Sequence, residues 1–136
     1  MKVTGACHCG RISYEAEVDP ATIRVCHCTD CQKLTGTAFR ATIPSLPGTF
    51  RLKSGAPKTY IKTGGSGRKI LLAFCGDCGT ALYSTAAEKA ETFNLRIGAI
   101  KQRGALIPRA QGFCRSAMPW AMNIDGIRKI PDPPQS

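Results

Sequence analysis

Aromatic residues are scarce in this 136-residue sequence, at 7% of the chain with one tryptophan, Trp120. Histidine is rarer, with only His8 and His27. So few histidines leave little material for a Ser-His-Asp triad, and so few aromatics give little support to stacking on nucleic-acid bases. No apolar run approaches the roughly 18 residues of a membrane span. The first residues, Met1 to Cys7, contain no apolar core of a secretory signal. The cytosol is therefore the expected location, and disulfides do not normally persist there. Repeats of domain size and low-complexity tracts are also missing. Acidic residues number 9 against 19 lysines and arginines, leaving a formal charge of +10. The basic residues are scattered and form no tail. Their excess suits an anionic partner, either a small carboxylate substrate or nucleic acid, and charge alone does not choose between them.

What is present reads as one globular domain over residues 1–130, followed by a loose tail, 131–136. Period-two alternation dominates. In Arg11 to Val18, Ile12, Tyr14, Ala16 and Val18 share one face. Phe39, Ala41 and Ile43 repeat the pattern. Lys58 to Lys62 and Lys69 to Phe74 read as two strands joined by the turn Gly64-Gly65-Ser66-Gly67, a better reading than a phosphate loop because no helix pattern follows. Ala81 to Ser84, Thr92 to Gly98, Arg109 to Arg115 and Trp120 to Ile124 are further strand candidates. Helical signal is confined to Thr29–Leu34 and Thr85–Ala90. The expected class is all-β or nearly so.

The cysteines carry the chemistry. Eight of them in a reducing compartment point to metal binding, with a disulfide framework as the alternative for an even count. They fall in three clusters: Cys7-His8-Cys9-Gly10, then Cys26-His27-Cys28-Thr29-Asp30-Cys31, then Cys75-Gly76-Asp77-Cys78-Gly79. Cys114 stands alone. Cys75-x-x-Cys78-Gly79 has the form of a zinc knuckle, whose tight turn aims two thiolates at one point. A structural zinc takes four ligands, so the economical partition closes one site with Cys7, Cys9, Cys75 and Cys78. It leaves Cys26, Cys28 and Cys31 as a triplet with a vacant fourth position, the pattern of a working metal centre. His8 and His27 read as spacers, since an extended chain turns residue i+1 away from i and i+2, with His27 as a candidate proton shuttle. Cys114 reads as a buried structural thiol or as a fourth ligand for the triplet. Trp120 reads as core or as a substrate platform.

Several stretches resemble the glutathione-dependent formaldehyde-activating enzyme family, which includes the centromere protein V domain. They are Gly5–Gly10, Cys26–Phe39, Phe74–Leu82 and Met118-Pro119-Trp120. The resemblance implies a β-tent fold of small antiparallel sheets organised around zinc. It assigns Cys7, Cys9, Cys75 and Cys78 to a structural zinc and Cys26, Cys28 and Cys31 to a catalytic zinc. It also implies a carbon–sulfur lyase-type enzyme that joins glutathione, or a related thiol, to formaldehyde or a similar small aldehyde. Two positions depart from the family pattern: Lys101 where an acidic residue is expected, and Gln111 where many relatives carry histidine. Lys33 and Arg40 are candidates for meeting the carboxylates of glutathione, with Trp120 as a further substrate contact. Specific nucleic-acid binding is not expected. A non-catalytic zinc module that presents a basic surface to nucleic acid or protein is the competing function.

Overall fold

The computed structural model describes residues 1–132. Two sheets carry almost all of its regular structure. The first is a three-stranded antiparallel sheet in the order β1 (Lys2–Ala6), β2 (Ser13–Glu17), β5 (Arg51–Ser54). The second has seven strands. Its order is β10 (Ala110–Gly112), β3 (Arg24–Cys26), β4 (Arg40–Pro44), β9 (Asn94–Arg96), β8 (Ala81–Ala86), β7 (Lys69–Phe74), β6 (Lys58–Thr63). Pairing is antiparallel throughout except between β10 and β3, which run parallel. The single α-helix among the described residues is α1 (Thr29–Thr35). The protein is thus mainly β, as its alternation pattern requires.

The faces follow the two-residue period. Ile12, Tyr14, Ala16 and Val18 are all buried, and they join Ile43, Leu82, Leu95 and Ile100 in one core fed by both sheets. Phe50 extends the core, stacking on Phe93 at 4.2 Å and meeting Tyr83 edge-on. The β6–β7 hairpin forms where the two candidate strands and their glycine-rich turn place it. Helix α1 starts on Cys28, whose sulfur accepts the Cys31 amide, and stops at Gly36, whose left-handed φ of 69° suits glycine.

Several segments differ from the expectation. Trp120 to Ile124 is not a strand but a pair of 3-10 turns, and Trp120 is 52% exposed, so it is not a core residue. Its neighbours Pro119 and Met122 form the first of these turns with it, and proline supplies no amide to a ladder. Thr85 to Ala90 is not a helix: β8 runs on to Ala86, held by pairing with Ile70. The Arg109–Arg115 candidate shortens to Ala110–Gly112, and Cys114 lies beyond it in an exposed 3-10 turn, not buried. Residues 133–136 of the expected tail lie outside the described residues.

Candidate metal centres and the cavity beside them

Two loops of similar construction build the four-cysteine site. After β1 the chain turns back at Gly10, φ 80°, with the Gly10 amide donating to the Cys7 carbonyl and the Cys7 amide to the Ile12 carbonyl. After β7 it does the same at Gly79, φ 80°: the Gly79 amide donates to the Cys75 carbonyl and the Cys75 amide to the Thr80 carbonyl. Only glycine takes this conformation without strain. The His8 amide ties one loop to the other by donating to Thr80 Oγ1 at 3.0 Å. The sulfurs of Cys7, Cys9, Cys75 and Cys78 consequently gather within 4.8 Å of one another. Cys7 and Cys9 Sγ are 3.5 Å apart, and Cys9 and Cys75 Sγ 3.7 Å. Polar hydrogens point at these sulfurs. The Ile12 amide donates to Cys7 Sγ, and the Thr80 hydroxyl lies 3.2 Å from Cys78 Sγ. That hydroxyl, aided by the Cys9 and Thr80 amides, draws the Cys78 thiol down to about 5.

The triplet is a local construction. Cys26 ends β3, Cys28 caps α1 and Cys31 sits in the first turn of α1, and their three sulfurs also lie within 4.8 Å. Burial opposes the Cys28 thiolate, but the hydrogen bond from the Cys31 amide and the neighbouring Cys31 thiol outweigh it, lowering its pKa below the usual thiol value. All eight cysteines are free thiols, so the disulfide alternative is set aside. Two groups of soft sulfur donors converge, one of four and one of three, and each could hold a metal ion.

Neither histidine joins these groups. His8 is exposed. His27 is buried against Phe39, with its Nε2 2.8 Å from Gln111 Oε1. Cys114 does not complete the triplet; its thiol leans on the Gln111 carbonyl at 3.7 Å.

A cavity of about 340 Å³ opens beside the triplet, bordered by Cys26 and Cys31. Sheet register explains its remaining wall. Cys26 pairs with Arg40, and Arg24 with Thr42, across β3 and β4. Thr42 pairs with Arg96 across β4 and β9. These side chains therefore share a face. Arg40, foreseen as a substrate contact, does line the cavity. Lys33 does not; it borders a separate surface groove with Asp30 and Lys62. Trp120 lines neither. Arg96 went unnoticed in the sequence, where Asn94-Leu95-Arg96 carries no motif. Only the long-range pairing of β9 with β4 reveals its position. Burial, then the charge of Arg40, pulls the Arg96 pKa down to about 9, yet it remains a cation at neutral pH.

Comparison with known proteins fits these centres. Residues 2–116 match the family pattern described as glutathione-dependent formaldehyde-activating enzyme. The chain belongs to that family. The match takes in all seven converging cysteines and Arg96, and it ends two residues beyond Cys114. No match was found among curated proteins. The fold resembles a crystal structure of a Rhodobacter sphaeroides protein, with a TM-score of 0.60 and 19% identity, covering 79% of this chain and 98% of that one. At that identity the likeness speaks for the fold alone. Among the described residues, no helix is long and apolar enough to cross a membrane.

Proposed function

We propose that this family member is a zinc-dependent enzyme of the carbon–sulfur lyase type, forming or cleaving an S-hydroxymethyl adduct between glutathione, or a related thiol, and formaldehyde or a similar small aldehyde. The observation that carries this reading is the asymmetry of the two centres. One group of sulfurs numbers four, which completes a tetrahedron; the other numbers three and borders a cavity. Zinc is the metal that the donor set favours. Zinc–sulfur bonds of roughly 2.3 Å imply sulfur–sulfur edges of about 3.8 Å, close to the 3.5 and 3.7 Å in the closed group.

When bound to Cys26, Cys28 and Cys31, zinc would lower the pKa of a substrate thiol and hold its sulfur. The protein's own contribution is positional. Cys28 and Cys31 are fixed by the first turn of α1, and the Cys31 amide stabilises the Cys28 thiolate. Gln32 locks the helix against the end of the fold by donating to the carbonyls of His27 and Ser116. In the forward reaction the substrate sulfur bonds to the aldehyde carbon while the carbonyl π bond breaks. The thiol proton ends on the new hydroxyl oxygen, so no oxidant is required.

The test uses metal-loaded protein with glutathione and ¹³C-formaldehyde, followed by exchange NMR. The wild type is expected to accelerate exchange between free formaldehyde and the S-hydroxymethyl adduct, and Cys28→Ser to remove the acceleration. An uncatalysed rate with the wild type fully metal-loaded would refute the assignment.

A further inference from the structure

A second cavity, of about 450 Å³, adjoins the one beside the triplet. Arg40 and Arg96 line both. The other walls of the second are mostly apolar, with Leu34, Tyr60, Leu72, Phe74 and Ala81. Sheet register carries one cavity into the other. Tyr60 pairs with Leu72 across β6 and β7, Leu72 with Ser84 across β7 and β8, and Ser84 with Asn94 across β8 and β9. Residues paired in this way share a face of the sheet. Tyr60 and Leu72 therefore lie in line with Ser84 and Asn94, which line the first cavity. Helix α1 runs beside both: Cys31 borders the first cavity and Leu34 the second. Residues i and i+3 are neighbours on a helix face, and the rise between them is about 4.5 Å. An apolar space thus begins within one helical turn of the sulfurs. Leu72 is buried, whereas Leu34 and Tyr60 are 43% and 55% exposed, so this space has a buried floor and an open side. Formaldehyde has no group to fill it.

We propose that this space takes an apolar group carried by the aldehyde, so that the centre favours adducts of an alkyl or aryl aldehyde over those of formaldehyde. The proposal rests on the reading that Cys26, Cys28 and Cys31 act on a thiol, and it specifies the substituent on the aldehyde. In the adduct that substituent sits on the carbon bonded to sulfur. A sulfur held at the triplet therefore brings it to the place where Leu34 opens the apolar space. The volume falls within the usual range of ligand pockets, roughly 300–1,000 Å³. No acidic residue or lysine lines the space, and covering its apolar walls removes them from water, which favours binding.

The test is calorimetric binding of a series of S-alkylglutathiones, from methyl to hexyl, to metal-loaded protein. These thioethers stand in for the adducts of successively longer aldehydes and undergo no reaction. Full burial of one methylene group strengthens binding about four-fold, so the wild type is expected to gain roughly two- to four-fold per methylene. Leu34→Gln and Tyr60→Ser should each flatten that gain, and both sites are exposed enough to be changed without emptying the core. Ile61→Ser removes an apolar side chain of similar exposure, 51%, from the other face of β6. It should leave the gain in place, which separates a built cavity from general apolar attraction. Binding of the methyl compound with no gain along the series, or a gain that survives Leu34→Gln and Tyr60→Ser, would overturn the inference and leave the thiol chemistry standing. No binding by any member would remove the glutathione reading and this inference with it. A flat series from a protein whose dimer is dissolved by Tyr60→Ser would instead assign the space to a second copy of the chain.

Discussion

Tyr14 is 1% exposed, and its hydroxyl has no hydrogen-bond partner among the described residues. Its ring occupies the space that a side chain at the opposite position would need. Gly5 is its direct cross-strand partner, and a Cβ there would overlap the Tyr14 ring. Glycine at position 5 is thus explained by close approach, not by backbone conformation. Burial of the hydroxyl pushes the Tyr14 pKa up, which keeps it neutral at any ordinary pH. Leaving a buried hydroxyl unpaired costs about 1–3 kcal/mol, whereas removing it costs only packing contacts. Tyr14→Phe is therefore expected to keep stability unchanged or to raise it by about 1 kcal/mol, read from the midpoint of urea unfolding. A loss of 1 kcal/mol or more would mean that the hydroxyl does have a hydrogen-bond partner.

Helix α1 depends for its start on a residue of the candidate metal centre, because Cys28 supplies both a converging sulfur and the N-cap acceptor for the Cys31 amide. Serine is a good N-cap and alanine a poor one, with a difference of about 1 kcal/mol. Both substitutions remove the same thiol from the triplet. Cys28→Ser should accordingly melt higher than Cys28→Ala, with the difference in unfolding free energy near that value; equal melting would show that the cap contributes nothing. This double role bears on what was legible beforehand. Cysteine spacing disclosed the triplet and each half of the four-cysteine group, since ligands at short intervals converge wherever the loops lie; that the two halves share one site came from ligand counting and the family resemblance, because they lie 66 positions apart. Alternation disclosed β2 and β4, whose apolar faces are long enough to read, and the glycine-rich turn disclosed the β6–β7 hairpin even though β6 is almost wholly exposed. Strand β5 is exposed at every position and so has no alternation to detect. Strands β1 and β3 escaped for other reasons: β1 places glycine at an inward position, and β3 is only three residues long. The arginine wall of the cavity was hidden for a further reason. It is assembled by pairing β4 with both β3 and β9, and no local pattern encodes which strands become neighbours.

Across the whole molecule the two centres differ in what they connect. The four-cysteine group joins the loop after β1, in the three-stranded sheet, to the loop after β7, in the seven-stranded sheet. Cys9 and Cys75 touch across 66 positions of sequence. The triplet spans only Cys26 to Cys31 and closes a loop that β3 and α1 already define. Closing a long loop removes more chain entropy than closing a short one, so metal in the closed site bears directly on folding. Structural zinc in small domains contributes about 10–16 kcal/mol of apparent binding free energy. A domain's entire stability is about 5–15 kcal/mol. Losing the first ion should be tolerated and losing the second should not. A chelator titration of the loaded protein is therefore expected to proceed in two stages. The first equivalent should leave with no change in far-ultraviolet circular dichroism, and this stage should be missing in Cys28→Ser. The second should leave together with cooperative unfolding. Loss of both equivalents from a protein that stays folded, or unfolding that accompanies the stage missing in Cys28→Ser, would show that the triplet and not the four-cysteine site holds the sheets together.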